Sequence, residues 1–351
     1  MKKITSFLFL AILTSNVFSQ EAEETKESKF SFSGSIDAYF RTNLNGYNKM
    51  SDEGDYAAPG SSFANLPGFA LGMANIVASY EGEKVGFVAD LVYGPRGESA
   101  TFNSPMTSWV GTGNIINQLY AYWNVSDKVK LTFGNFNTFL GYEVISPASN
   151  FNYSTSYLFS YGPFSHTGLK ADFTLSEDFS LMLAVMNPTD MTEFNPTGKY
   201  AFGAQLGYSG QYLNFLADDG AFEIDYTGGF DVTDQFFLGI NAALYDSGDD
   251  ADSGFAGVAL YPQYKTSETF VIGLRGEYFK QTGGFDAIGT AMESNVFAVT
   301  LSGNVKIGDL TLIPELRLDS SSDDSYYFLS SDLNPQKSLS SFLIAAVYKF
   351  E

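Results

Sequence analysis

The chain contains one histidine, His166, in 351 residues, which excludes multi-histidine metal centres and most familiar catalytic sets. Ser165 beside it has the type of a nucleophile, but successive residues of a strand point to opposite faces. A regular strand through 164–175 therefore parts the pair, and a hydrolase is disfavoured. His166 is expected to face a lumen or anchor a loop. Carboxylates crowd Asp246–Gly254 (DSGDDADSG) and Asp319–Ser325, a composition that suits calcium. The EF-hand spacing and its closing glutamate are missing, so solvated outer loops are expected, with divalent bridging to lipid headgroups as the other reading. Arginine is confined to Arg41, Arg96, Arg275 and Arg317. Three of these share strand parity with nearby acids: Arg41 with Asp37, Arg275 with Glu277, and Arg317 with Glu315. Asp319 lies on the same face as Arg317, and Lys170 and Asp172 share the parity of His166. These ten residues are the candidate lumen lining. Paired opposite charges across a wet lumen set up a transverse field that sorts solutes, and structural bridging across the wall is the plainer alternative.

Such a lining needs strands with one apolar and one polar face. In Leu310–Asp319, Leu310, Leu312, Leu316 and Leu318 share one face, while Thr311, Glu315, Arg317 and Asp319 share the other. In Phe164–Leu175, Leu169, Ala171, Phe173 and Leu175 oppose His166, Lys170 and Asp172. Charges of both signs are costly in lipid, so the second face should point inward. Pro314 falls on the lipid face and, lacking a donor, is expected to mark a bulge. The first strand, Phe30–Arg41, places Phe32, Ile36, Ala38 and Phe40 on one face and serines with Asp37 and Arg41 on the other. The last, Ser338–Phe350, is apolar and aromatic on one side but weakly polar on its second. Closing the last strand onto the first would leave no sheet edge.

Seven short turns, at 81–84, 126–128, 176–178, 209–211, 233–235, 266–268 and 307–309, alternate with eight longer connections. The latter lie near 42–66, 95–113, 141–163, 188–198, 218–220, 246–253, 282–292 and 321–337. That pattern predicts an all-β, transmembrane, antiparallel up-and-down barrel of about sixteen strands, or fourteen if the hairpin at 211–220 is absent. Loop 141–163 is long and aromatic, with Tyr142, Phe151, Tyr153, Tyr157, Phe159 and Tyr161. It either folds into the barrel mouth as a constriction or extends the neighbouring strands.

Composition agrees. Residues 1–19 read as a cleaved export signal, with Lys2 and Lys3 before an apolar run, and 20–29 as a charged periplasmic leader. No later stretch reaches the roughly 18 apolar residues of a membrane helix. An exported chain without cysteine has no disulfides to hold it, and a closed hydrogen-bonded barrel supplies the alternative. The formal net charge of −21 excludes nucleic acid as a partner and leans a lumen toward cations.

The segment 131–168 resembles the OmpL-like β-barrel porins of Gram-negative outer membranes. The likeness rests on Gly134-Asn135-Phe136, Gly141-Tyr142-Glu143, Pro147–Asn152, Ser154–Ser156 and Pro163–Gly168, and its strand-turn style continues over 30–351. The resemblance implies an outer-membrane barrel passing small hydrophilic solutes, with no cofactor, no metal and no catalytic residues. Expected partners are outer-membrane lipid, the barrel-assembly machinery through the C-terminal strand, and two further copies in a trimer. Such barrels usually end on an aromatic residue, whereas here Glu351 follows Phe350. A non-conducting barrel with a structural or adhesive outer-loop surface is the alternative.

Overall fold

Apolar side chains at every second position set the strands, and hydrogen bonding between neighbours in chain order closes them. In the computed structural model, residues 29–101 and 115–351 are described, except 53, 250, 290 and 291. The expected export signal, and the expected leader up to residue 28, lie outside them. The strands are β1 (Phe30–Asn43), β2 (Gly68–Glu81), β3 (Val85–Tyr93), β4 (Ile116–Ser126), β5 (Val129–Asn137), β6 (Ser165–Thr174), β7 (Phe179–Met186) and β8 (Ala201–Tyr208). They continue with β9 (Gln211–Asp218), β10 (Ala221–Asp231), β11 (Phe236–Asp246), β12 (Gly254–Lys265), β13 (Phe270–Thr282), β14 (Asn295–Ile307), β15 (Leu310–Leu329) and β16 (Pro335–Phe350). All sixteen form one closed antiparallel barrel. Its seam pairs Gly34 with Phe350, Ile36 with Tyr348 and Arg41 with Leu343. The doubtful hairpin is present, because β9 pairs with both β8 and β10.

Lipid-type side chains cover the outside. Phe69 is 91% and Phe133 71% exposed, which in water would be an aggregation surface and in a bilayer is the membrane face. Near the short-turn end, Tyr80 stacks on Phe87 and Phe179 packs on Tyr208, as in an interfacial aromatic girdle.

Two boundaries differ from the sequence reading. The connection at 321–337 shrinks to 330–334, because β15 and β16 run on past the expected loop. Residues 219–220 form a two-residue turn, permitted by Asp219 and Gly220 at positive φ. Pro314 also makes no bulge: the β14–β15 register is the same on both sides of it, Ser302 with Glu315 and Val305 with Leu312. The missing N–H interrupts the ladder without shifting it.

Four loops at the long-connection end matter for the interior: L1 (44–67), L2 (described over 94–101, with helix α1, Pro95–Ala100), L3 (138–164, with helix α2, Tyr157–Tyr161) and L4 (187–200). L1 and L3 turn inward. The largest buried apolar cluster joins Ala57 of L1 and Tyr157 and Leu158 of L3 to Phe255, Ala259, Tyr261, Phe279, Val296, Ala298 and Leu339 of the wall. This explains why the inner face of β16 is weakly polar. Leu343, Ala345 and Val347 are buried against Tyr153 of L3 and Tyr39 of β1.

Candidate constriction in the lumen

The inner wall from β12 through β16 to β1 carries its charges in rows fixed by register. Arg275 pairs across with Thr300, which pairs with Arg317. One step toward the loop end, Glu277 pairs with Ala298 and then Asp319. One step the other way, Ser302 pairs with Glu315, then Leu343, then Arg41. A basic row thus lies between acidic positions on one patch of wall.

L3 lies against that patch, and the wall's charges grip its backbone almost residue by residue. Glu315 accepts from the N–H of Tyr153 at 2.6 Å and of Ser154 at 3.1 Å. Glu277 accepts from Tyr157 at 3.0 Å and Leu158 at 2.8 Å, the open N–H groups of α2. Arg275 donates to the Ser154 carbonyl at 2.6 Å, Arg317 to the Thr155 carbonyl at 2.8 Å, and Arg96 to the carbonyls of Ile145 and Tyr153 at 2.8 and 3.0 Å. Arg41 grips L1 in the same manner, donating to the Asn65 carbonyl at 3.0 Å. Charge-assisted bonds of this kind contribute about 1.5–3 kcal/mol each where water is excluded. A loop whose amides would otherwise be buried without partners is thereby held in place.

Side chains of L3 close the remainder. Glu143 accepts from the N–H and hydroxyl of Ser156 at 2.7 and 2.6 Å and pairs with Arg275 at 2.6 Å. The Tyr153 hydroxyl donates to Asp37 at 2.5 Å and that of Tyr157 to Asp319 at 3.1 Å. A bulge of β2 turns the Met73 N–H toward Asp37 at 3.1 Å. Gly72 in that bulge is required, because a Cβ there would meet the Asp37 carboxylate.

Eight of the ten expected lining residues, Asp37, Arg41, His166, Arg275, Glu277, Glu315, Arg317 and Asp319, lie on inward-facing strand positions and are buried. Lys170 and Asp172 stand apart on β6, partly exposed and 3.6 Å from each other. The expected arginine pairs are redistributed. Arg317 bonds Asp319 at 2.8 Å rather than Glu315, and Arg275 takes Glu143 rather than Glu277. Arg41 bonds the Asn43 side chain at 2.8 Å, not Asp37. The physical reason is that Asp37, Glu277 and Glu315 are committed to backbone N–H and tyrosine donors. His166 is a loop anchor. Its Nε2 lies 3.0 Å from the Thr138 hydroxyl at the root of L3, and its ring is 5.2 Å from that of Phe139. Ser165 points to the other face.

The sequence reading gave Glu143 and Arg96 no role in the site, and it named Tyr153 and Tyr157 as aromatics of the constriction loop without their carboxylate partners. Glu143 had a signal, being the only charged residue between Thr138 and Phe164. The acidic loop at 246–253 satisfies its own backbone, with Asp249 accepting from Ala251 and Ser253 at 3.0 and 2.9 Å. Asp319, which opens the similar run and also stands among the lining candidates, is a buried wall residue. Among the described residues no three His, Cys, Asp or Glu groups gather as a metal cluster.

Residues 29–350 match the model of the family described as "Putative beta-barrel porin-2, OmpL-like". The chain belongs to this family. It is an outer-membrane protein of the Gram-negative type, and its fold is shared at low identity with solved structures, one of them described as a channel. The outer membrane channel DcaP of Acinetobacter baumannii superposes with TM-score 0.61 at 13% identity, over 94% of this chain and 100% of that one. OprB of Pseudomonas putida gives 0.60 at 11%, over 92% and 94%. OmpT of Vibrio cholerae in its trimer form gives 0.54 at 10%, over 92% and 99%. No curated protein matches the sequence.

Proposed function

We propose that this porin passes small hydrophilic solutes or ions by diffusion through a lumen narrowed by L3, with a preference for cations and no catalytic step. The observation that carries this reading is a barrel of sixteen strands, wide enough to leave an aqueous channel, with one loop clamped along one wall. The cation preference is supported by the acids at the loop end, among them Asp218, Asp219, Asp246, Asp249, Asp252, Asp286, Asp323 and Asp324. Mouth charges of one sign concentrate the opposite ion. Lys170 and Asp172 would face the open lumen, and the seven buried charges would shape the constriction through L3. Cleavage after residue 19, a leader over 20–29, delivery by the barrel-assembly machinery through β16, and a trimer belong to the same reading.

The burial of L1 and L3 side chains inside the mouth also favours a second reading, a non-conducting barrel whose outer loops serve adhesion or structure. Single-channel recording of the refolded mature chain in a planar bilayer under a salt gradient separates the two. Stepwise currents with a cation-biased reversal potential are expected. Silence from protein shown to be folded and inserted rejects the channel.

A further inference from the structure

A second site lies at the loop-end rim, away from the L3 clamp. A small, part-enclosed cavity of about one water's size is lined by Ala100 and Thr101 of L2, Ile116 and Asn117 of β4, Ser165 of β6, and Asp190 and Thr192 of L4. Apart from the two apolar side chains, the lining is oxygen-bearing.

Two of these groups are set by their surroundings. Asn117 sits in a bulge, since β3 pairs Asp90 with Gln118 and Leu91 with Ile116, skipping it. Bulges re-aim side chains in this way. Its Nδ2 donates to Asp90 at 2.7 Å. A carboxylate only accepts, so the amide cannot be flipped and its Oδ1 must be the outward atom. Asn117 is 4% exposed, and this Oδ1 has no partner. Asp190 is fixed by one oxygen, which accepts from the N–H groups of Phe164 and Ser165 at 2.7 and 2.8 Å. Burial pushes its carboxyl up to about 6.

The local charge is uncompensated. Asp90 accepts from Asn75, Asn117 and Gln118, all neutral amides. Neither Asp90 nor Asp190 has an ion pair among the described residues. Residues 102–114, which follow Thr101, contain no Lys, Arg or His. A water in the cavity would satisfy the orphan acceptor but not the two negative charges.

We propose that this rim cavity binds a calcium ion, with Asp190 and the Asn117 amide oxygen as its anchoring ligands and the neighbouring hydroxyls and water completing an all-oxygen shell. Hard cations take such donors, and a site with a single direct carboxylate belongs with weak extracellular calcium sites of Kd about 10⁻⁴–10⁻³ M. The ion would tie L4 to the starts of β4 and β6.

The test is equilibrium dialysis of radiocalcium against the full chain refolded in a non-ionic detergent and stripped with chelator, near neutral pH. One saturable site is expected, abolished in Asp190→Asn and weakened at least tenfold in Asn117→Ala. It should persist in Asp249→Asn, whose carboxylate belongs to the exposed 247–253 loop. Folding of each variant is verified by its migration in cold SDS, and if Asp190→Asn does not fold, Asn117→Ala carries the test. Absence of saturable uptake, uptake unchanged in whichever of the two rim variants folds, or uptake lost in Asp249→Asn overturns the proposal and leaves a water in the cavity.

Discussion

Replacing Glu277 by Gln tests whether wall charges, rather than apolar packing alone, hold L3 in the lumen. The carboxylate accepts from Leu158 at 2.8 Å with one oxygen and from Tyr157 at 3.0 Å with the other. A carboxamide keeps one accepting oxygen and sets its NH2 against the second N–H, which is then buried without a partner. The loss is one charge-assisted bond plus the opposition, about 2–3 kcal/mol. Since 1.4 kcal/mol is tenfold, the released state of L3 should rise roughly 30- to 150-fold. The barrel ladder should not change, because Glu277 points inward and its backbone pairing with Ala298 and Ala259 is independent of the side chain. The assay is amide exchange at Tyr157 and Leu158 in lipid nanodiscs, with β14 and β15 amides as internal references, alongside single-channel recording. Faster exchange confined to L3 with added current flicker is expected. Unchanged protection at both amides would show that the aromatic cluster alone seats the loop, and the clamp argument would be wrong.

Three further outcomes follow from the same geometry. Arg275→Met leaves Glu143 buried without its cation, so the seating of L3 should weaken by about 3–5 kcal/mol. Arg275→Met with Glu143→Gln should recover most of this, and a double-mutant cycle on L3 proteolysis reads the coupling. Leu301→Arg places a charge on the lipid face midway along β14 and should cost about 2–4 kcal/mol in denaturant unfolding from liposomes. A cost near zero would place that face away from lipid. For Asp190 the sign is that of an acid whose folded value is raised, to about 6 from an ordinary value near 3.8. The folded state therefore takes up a proton more readily than the unfolded chain, and the ionised form is the strained one above that pH. Calcium competes with that proton, so at subsaturating calcium uptake should weaken as pH drops through about 6, and uptake unchanged down to pH 5 would contradict the assignment.

The barrel was legible because a period of two marks strands such as Phe30–Arg41 and Leu310–Asp319 and turn chemistry separates the runs. The misreadings arose where tertiary contacts outweigh local pattern. Asp323 and Asp324 read as a loop, yet β15 continues through them, because its neighbours and the loops inside supply pairing that composition does not reveal. Parity set the nine charged candidates and His166 on one side of their strands, and eight of the ten are buried there, but their partners were not legible. Spacing of two along a strand suggested Arg41 with Asp37 and Arg317 with Glu315. Which acid an arginine meets depends on what competes for the acid, and here the competitors are amides more than a hundred residues away in sequence. Tyr153 and Glu315 are such a pair. The aromatic composition of L3 left open whether it entered the lumen, and the grip of Glu315, Glu277, Arg275 and Arg317 on its backbone resolves it.

The buried charges also bear on how selectivity can be altered. A charge that is hydrogen-bonded to a loop and removed from water contributes to the field in the lumen, but neutralising it moves the loop as well. Variants at Glu277, Glu315, Arg275 or Arg317 should therefore change conductance and ion preference together. Lys170 and Asp172 are partly exposed and hold no L3 backbone group, so substitution there should shift the reversal potential while leaving unitary conductance and L3 protection near wild type. Recording Lys170→Met and Asp172→Asn beside Glu277→Gln distinguishes these two kinds of lumen charge. If Asp172→Asn altered L3 exchange as strongly as Glu277→Gln, the division between a clamping wall and an open wall would fail.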